Sequence, residues 1–150
     1  MSVVQNASGY LMDTGVWVEV ERGRLSGADL QRLIGEAPVF LSPITIAELT
    51  TGVELADNES IRQRRRAALA RLRSKPVLRI DAVTGEILGT LSAALHRAGR
   101  GSHKHRVQDL WMAAQAIQHG LCIMTYNRKD FDDVPGLDVQ VLQHSSPMKP

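Results

Sequence analysis

QDLWMAAQAIQHGLCIMTYNRKDFDDVPGLDVQVL, residues 108–142, is the stretch that decides how this chain folds. Counting from Val107, the apolar residues Leu110, Trp111, Ala114 and Ile117 recur at i+3, i+4, i+7 and i+10, one face of an amphipathic helix. Gly120 ends that helix, because glycine enters the left-handed conformation of a C-terminus without steric cost. Residues 121–124 then read as a short apolar strand, and residues 139–142 as another beyond the Pro135-Gly136 turn. A helix feeding straight into an apolar strand marks a parallel sheet, whose strands are buried on both faces.

The alternation continues toward the N-terminus. Residues 9–12 read as a strand followed by a helix from about residue 16, and Ser26 caps a second helix through Ile34. Residues 39–41 form a brief strand closed by Ser42-Pro43, and Pro43 suits the first turn of a helix over 44–53. Asp57 or Asn58 caps a long basic helix whose apolar stripe is Ile61, Leu69 and Leu72. Residues 77–80 read as a third strand, and Asp81 or Thr84 opens a helix with Ile87, Leu88, Leu91 and Leu95 on one face. The expected fold class is α/β: a three-layer α/β/α sandwich with a mostly parallel five-stranded sheet joined by right-handed crossovers. With no internal repeat or long linker, residues 1–150 are expected to form a single domain with its core at about 9–143.

Composition sets the outer limits. At 43% hydrophobic and 23% charged residues, the chain is ordinary for a globular protein long enough to bury a core unaided. The lone Cys122 cannot form an internal disulfide, which suits a cytoplasmic location, and its setting in LCIMT reads as a buried strand thiol. Residues 1–10 lack the basic start and apolar run of a signal peptide, and no stretch approaches the ~18 apolar residues of a membrane span. A net charge of +2 is too mild to argue nucleic-acid binding by itself.

The chemistry lies in a few acidic and amide positions. Asp13 ends the first strand in GYLMDTG, and Glu48 lies in the early turns of a helix in ITIAELTTG. Asp109 lies in the first turn of the helix in RVQDLWMAAQAI, and Asn127 and Asp130 follow the strand in LCIMTYNRKDF. In a parallel α/β sheet, strand C-termini and helix N-termini share one edge, where ligands bind. All these positions are therefore expected there. Crowded carboxylates raise one another's pKa, so such a gathering calls for a cation. Oxygen-only donors suit Mg²⁺ or Mn²⁺, which points to a metal-dependent nuclease. Taken singly, each position also has a structural reading. Asp13 and Asp109 can be helix N-caps, Glu48 can face solvent and Asn127 can serve a turn.

From Tyr10 to about Leu142 the chain resembles the PIN-domain family, and within it the VapC-type ribonuclease toxins of prokaryotic toxin–antitoxin pairs. LMDTGVW, SPITIAELTTGVE and above all residues 108–142 carry the resemblance, in order and spacing. It implies Mg²⁺-dependent endonucleolytic cleavage of RNA, with Asp13 and Asp109 as principal metal ligands and Glu48 binding through water or orienting the nucleophile. Thr14, Thr125 and Asn127 would be polar supports. Many PIN nucleases carry a fourth acid where this chain has Asn127, which leaves Asp130 as a helper. The resemblance further implies a homodimer and a cognate VapB-like antitoxin whose tail occupies the active-site groove.

Two basic features stand apart from the acids. The run containing Arg62, Arg65 and Arg66 is either a solvated helix face or a contact for RNA or for an acidic antitoxin segment. His103, Lys104 and Arg106 precede Asp109 as a possible phosphate-facing rim; a zinc site would need two more ligands at definable spacing. Aspartyl-phosphate chemistry is disfavoured, because Asp13-Thr14-Gly15 lacks the second acid of an Asp-x-Asp motif. The non-enzymatic alternative is an RNA- or partner-binding PIN-like module with a decayed metal site, for which Asn127 is the main argument.

Overall fold

The computed structural model describes residues 8–100 and 106–144. Four parallel strands lie in the order β2-β1-β3-β4, where β1 is Tyr10–Met12, β2 Val39–Phe40, β3 Cys122–Thr125 and β4 Asp138–Val141. The helices are α1 (Thr14–Glu21), α2 (Gly27–Ile34), α3 (Pro43–Glu54), α4 (Glu59–Leu72), α5 (Ala82–Arg97) and α6 (Val107–His119).

The period-2 alternation of the central strands separates the two cores. Leu11 and Ile123 point toward α5 and α6, where they pack with Leu91, Leu95, Leu110 and Phe131. Tyr10, Met12, Cys122 and Met124 point the other way and pack with Val16, Trp17, Leu72 and Leu142. The result is the expected α/β/α sandwich. Burial pushes the Cys122 thiol up to about 11, so it remains an inert core group. No helix among the described residues is long and apolar enough to cross a membrane.

Residues 77–80 do not form the fifth strand expected from their apolar character. Only a single parallel bridge, Leu41 to Val77, joins them to the sheet. Leu41 N–H donates to the Pro76 carbonyl at 2.9 Å, and Leu78 N–H donates back to the Leu41 carbonyl at 2.9 Å. Beyond that point the segment turns its carbonyls inward. The next ladder donor would be residue 43, but Pro43 has no N–H and begins α3, so the Leu78 and Arg79 carbonyls accept from the Gln115 side-chain amide instead, at 3.2 and 3.5 Å. Val77 and Ile80 remain 44% and 37% exposed. The Asp81 capping box then starts α5.

Most helix starts follow from their capping residues. Ser26 forms a capping box with Asp29, Ser42 caps α3 with Pro43 just inside, and Asn58 rather than Asp57 caps α4. Gly120 closes α6 at φ 65°, as its position predicts. Gly9 serves a different purpose. A Cβ there would lie 2.6 Å from the Pro38 carbonyl oxygen, and that close approach allows Tyr10 N–H to reach Pro38 at 2.9 Å.

Candidate active site

The strand order places a topological switch between β1 and β3: the chain leaves β1 for β2 on one side and later returns to β3 on the other. In open α/β sheets the crevice beyond the strand C-termini at such a point is the usual ligand site. Asp13 stands on one lip of this crevice, directly after β1. Thr125 ends β3 on the other.

The Asp13 carboxylate is held by both lips. Its Oδ1 accepts Thr14 N–H at 2.9 Å, which makes it the N-cap of α1, and its Oδ2 accepts the Thr125 hydroxyl at 2.8 Å. The Asp13 amide in turn donates to the Met124 carbonyl at 2.9 Å. The capping and chemical readings of this residue are therefore compatible. The same Thr125 oxygen accepts Asn127 N–H at 3.0 Å, and the Asn127 side-chain amide donates to Asp130 Oδ2 at 2.8 Å. A relay of hydrogen bonds thus runs from Asp13 through Thr125 and Asn127 to Asp130, with the amide filling the place where a further carboxylate would only repel.

Asp109 is not a cap. It lies in the first turn of α6, whose N-cap position is Arg106, and its carboxylate accepts no hydrogen bond among the described residues. The protein environment instead drives its pKa up to about 7, first through burial and then through the charges of Asp130, Asp13 and Glu48. Arg106 opposes the rise. Asp13 is raised by burial and by Asp130, against the hydrogen bonds from Thr125 and Thr14. Glu48 is raised by burial and by Asp13, partly offset by the Thr14 hydroxyl. The fold thus brings Asp13, 96 residues away in sequence, near enough for its charge to help raise the pKa of Asp109.

Among the described residues no three acidic, histidine or cysteine side chains close around a point as a preformed metal cage. Mg²⁺ does not need one, since it retains several waters and takes only one or two protein carboxylates directly. The donor set also fits in its chemistry: hard oxygens, partly desolvated and carrying like charge. Direct ligation by Asp13 and Asp109, with Glu48 acting through water, suits this arrangement.

Several contributors escaped the sequence reading. The buried Thr45 hydroxyl lies 3.0 Å from that of Thr14, linking α3 to the start of α1. The Ser42 hydroxyl donates to Gln115 Oε1 at 2.6 Å, tying the start of α3 to α6. Gln115 is a lone polar residue in an apolar run, and that was its available signal. Asp133 binds Arg106 through both of its oxygens, at 2.8 and 2.9 Å, and nothing in DFDD distinguishes it from Asp132.

The basic candidates separate in space. Arg106 also donates to the Asp130 carbonyl, so both its terminal nitrogens are engaged within the rim. Arg62 pairs with Glu59 on α4, and Arg66 is exposed. Arg65 faces a groove between α1, α3 and α4 and donates to the Gly52 carbonyl at 2.7 Å. His103 and Lys104 lie outside the described residues.

A carboxylate-lined switch-point crevice in a four-stranded parallel α/β/α sandwich defines a class of protein, and comparison specifies it. The PIN domain family model matches residues 10–137, and the chain belongs to the PIN-domain family. Ribonuclease VapC1 of Rickettsia felis is 30% identical over 131 residues, covering 87% of this chain and 94% of that protein. Ribonuclease VapC5 of Mycobacterium tuberculosis is 32% identical over 132 residues, covering 88% and 89%. Among solved structures, VapBC2 from Rickettsia felis bound to a promoter DNA fragment superposes with a TM-score of 0.75 at 22% identity, covering 89% of this chain and 98% of that one. VapBC-5 from Mycobacterium tuberculosis gives 0.67 at 26% identity, covering 91% and 98%.

Proposed function

We propose that this chain is a metal-dependent endoribonuclease, the toxin of a type II toxin–antitoxin pair, using Mg²⁺ or Mn²⁺. The observation that carries the reading is the Asp13 carboxylate clamped at the switch point by Thr14 and Thr125 and linked through Asn127 to Asp130, close enough to Asp109 for the charges of Asp13, Glu48 and Asp130 to help raise its pKa. The relatives named as VapC ribonucleases support the choice of RNA. The solved VapBC structures support a VapB-like antitoxin as partner. A homodimer is part of the same proposal.

A bound divalent ion supplies two things: a more acidic water and neutralisation of charge on the phosphate. The protein contributes positioning. Asp13, locked by Thr14 and Thr125, presents a fixed carboxylate edge, and Asp109, in the first turn of α6, is the second candidate ligand. Glu48, whose pKa is raised by burial and by Asp13, orients the attacking water and accepts its proton. The water oxygen bonds to phosphorus as the ester oxygen of the leaving strand departs.

The test is cleavage of RNA by purified protein with Mg²⁺, in excess chelator, and with Asp13→Asn or Asp109→Asn. Cleavage is expected only from the wild-type chain with metal. Undiminished cleavage by either variant or under chelation contradicts the mechanism. Calorimetric titration with Mg²⁺ or Mn²⁺ separates the alternative module with a decayed site, which predicts no saturable binding.

A further inference from the structure

The groove between α1, α3 and α4 has a volume of about 1020 Å³ and includes Thr14 and Glu48 in its wall, so it opens directly onto the acidic crevice. Six cationic side chains line it, Arg22, Arg24, Arg64, Arg65, Arg71 and Lys75, against the two carboxylates Glu21 and Glu48. Several of these cations already have partners. Arg65 donates to Gly52, Arg24 pairs with Glu19 at 3.4 Å, and Lys75 lies 5.9 Å from the centre of the Trp17 ring. Arg22, Arg64 and Arg71 make no ion pair among the described residues, although all three line the wall.

Arg64 and Arg71 are seven residues apart on α4, which places them on one face of the helix about 10 Å apart along its axis. Leu69 and Leu72 lie between and beside them as an apolar floor. Arg66, on the same helix, does not line the groove, so the charge in the groove is a selected face of α4 and not its average composition. On the other flank of the crevice the described acids and bases are mixed. There Asp109 and Asp130 stand beside Arg106, whose charge is matched by Asp133. A polyanion with one phosphate at the crevice meets unpaired positive charge along the α4 face of this groove.

We infer that this groove is the track of the RNA strand beside the scissile phosphate, with Arg64, Arg71 and Arg22 gripping backbone phosphates. The inference rests on the ribonuclease reading and adds the direction in which the substrate leaves the site. Phosphate contacts of this kind are independent of base identity and release counterions on binding, so they leave a signature in the salt dependence.

The experiment measures fluorescence anisotropy of a labelled twelve-nucleotide oligouridylate with Asp109→Asn protein, which keeps the strand intact. Arg64→Gln and Arg71→Gln are then added together, and Arg97→Gln on α5 serves as a control away from the groove. The double substitution is expected to weaken binding by about 10- to 100-fold and to flatten the log–log salt slope by about 1.4, two phosphate contacts' worth for a single strand. The control is expected to stay within about twofold of its parent, as a charge outside the groove makes no phosphate contact. Unchanged affinity and slope in the double variant overturn the track, including the case in which those arginines serve only an acidic protein segment. Wild-type cleavage is read in parallel. Cleavage with unchanged binding overturns the track alone, whereas absence of both cleavage and binding overturns the ribonuclease reading with it.

Discussion

Replacing Asp109 by asparagine is expected to make the metal-free protein more stable at pH 8. The carboxyl titrates near 3.8 when unperturbed and near 7 in the fold, because it is buried beside Asp130, Asp13 and Glu48. A raised carboxyl pKa means that the folded state binds the proton more tightly than the unfolded chain. Above about pH 7 both states are ionised, and the folded state bears the full cost of a crowded, desolvated charge. Between 7 and 3.8 the folded state takes up a proton that the unfolded chain does not, so stability rises as the pH falls through 7. Below 3.8 both forms are neutral and the difference is gone. A displacement of about three pH units sets a ceiling of about 4 kcal/mol, at about 1.4 kcal/mol per unit. The repulsion is shared among four acids at a solvent-reachable crevice, so about 2 kcal/mol is the expected gain on removing one charge. For a domain of this size that is about 4–8 °C in Tm. Thermal and urea unfolding of wild-type and Asp109→Asn protein in chelator, at pH 8 and pH 4, measures it directly. The gain is expected at pH 8 and should shrink toward zero at pH 4. No gain at pH 8 refutes the crowded-carboxylate account, and an equal gain at both values assigns the effect to packing.

Thr125→Val keeps the shape of a buried side chain but removes the donor to Asp13 Oδ2 and the acceptor for Asn127 N–H. Cleavage is expected to fall by about 10- to 100-fold, as for groups that orient metal ligands, with the fold retained; full activity would contradict the positioning role. Gln115→Leu leaves the Ser42 hydroxyl and the Leu78 carbonyl without their buried partner, and a loss of about 1–3 kcal/mol should appear in the urea midpoint. An unchanged midpoint would show that this bridge is replaceable. Gly9→Ala forces a methyl group to within 2.6 Å of the Pro38 carbonyl, which must move the edge strand β2, at a cost of about 1–3 kcal/mol. A calorimetric Tm equal to that of the wild type would refute the close-approach argument.

Local signals were sufficient wherever a residue's role depends on its neighbours in sequence. The i, i+3, i+4, i+7 stripe of α6, the Gly120 stop and the Ser26 cap appear where the pattern placed them, and of the two candidates for the start of α5 it is Asp81 that caps the helix. Residues 77–80 misled because an apolar run favours a strand only if its backbone groups find a ladder. Here the ladder stops because its partner chain reaches Pro43, which has no N–H to donate, and Gln115 from α6 takes the carbonyls left over. That last contact involves residues 37 apart and leaves no mark in the run itself. The basic segment was legible as charge but not as geometry: helical phase about α4 directs Arg64, Arg65 and Arg71 to the groove and leaves Arg66 outside it.

The amino-acid order by itself determined the α/β alternation, the family likeness and the shared edge at which Asp13, Glu48, Asp109 and Asp130 meet. The alternation and the shared edge follow from periodicity and from the rule that parallel strands end where their helices begin, whereas the likeness rests on the motifs around Asp13 and Glu48 and on residues 108–142. Only the tertiary structure decided how far the acids perturb one another, which hydroxyls and amides hold them, and which arginines border the crevice. Those properties depend on distance and desolvation between segments remote in the chain. Coulomb interaction and burial act through space, so they take definite values only once the sheet has brought β1 and β3 side by side.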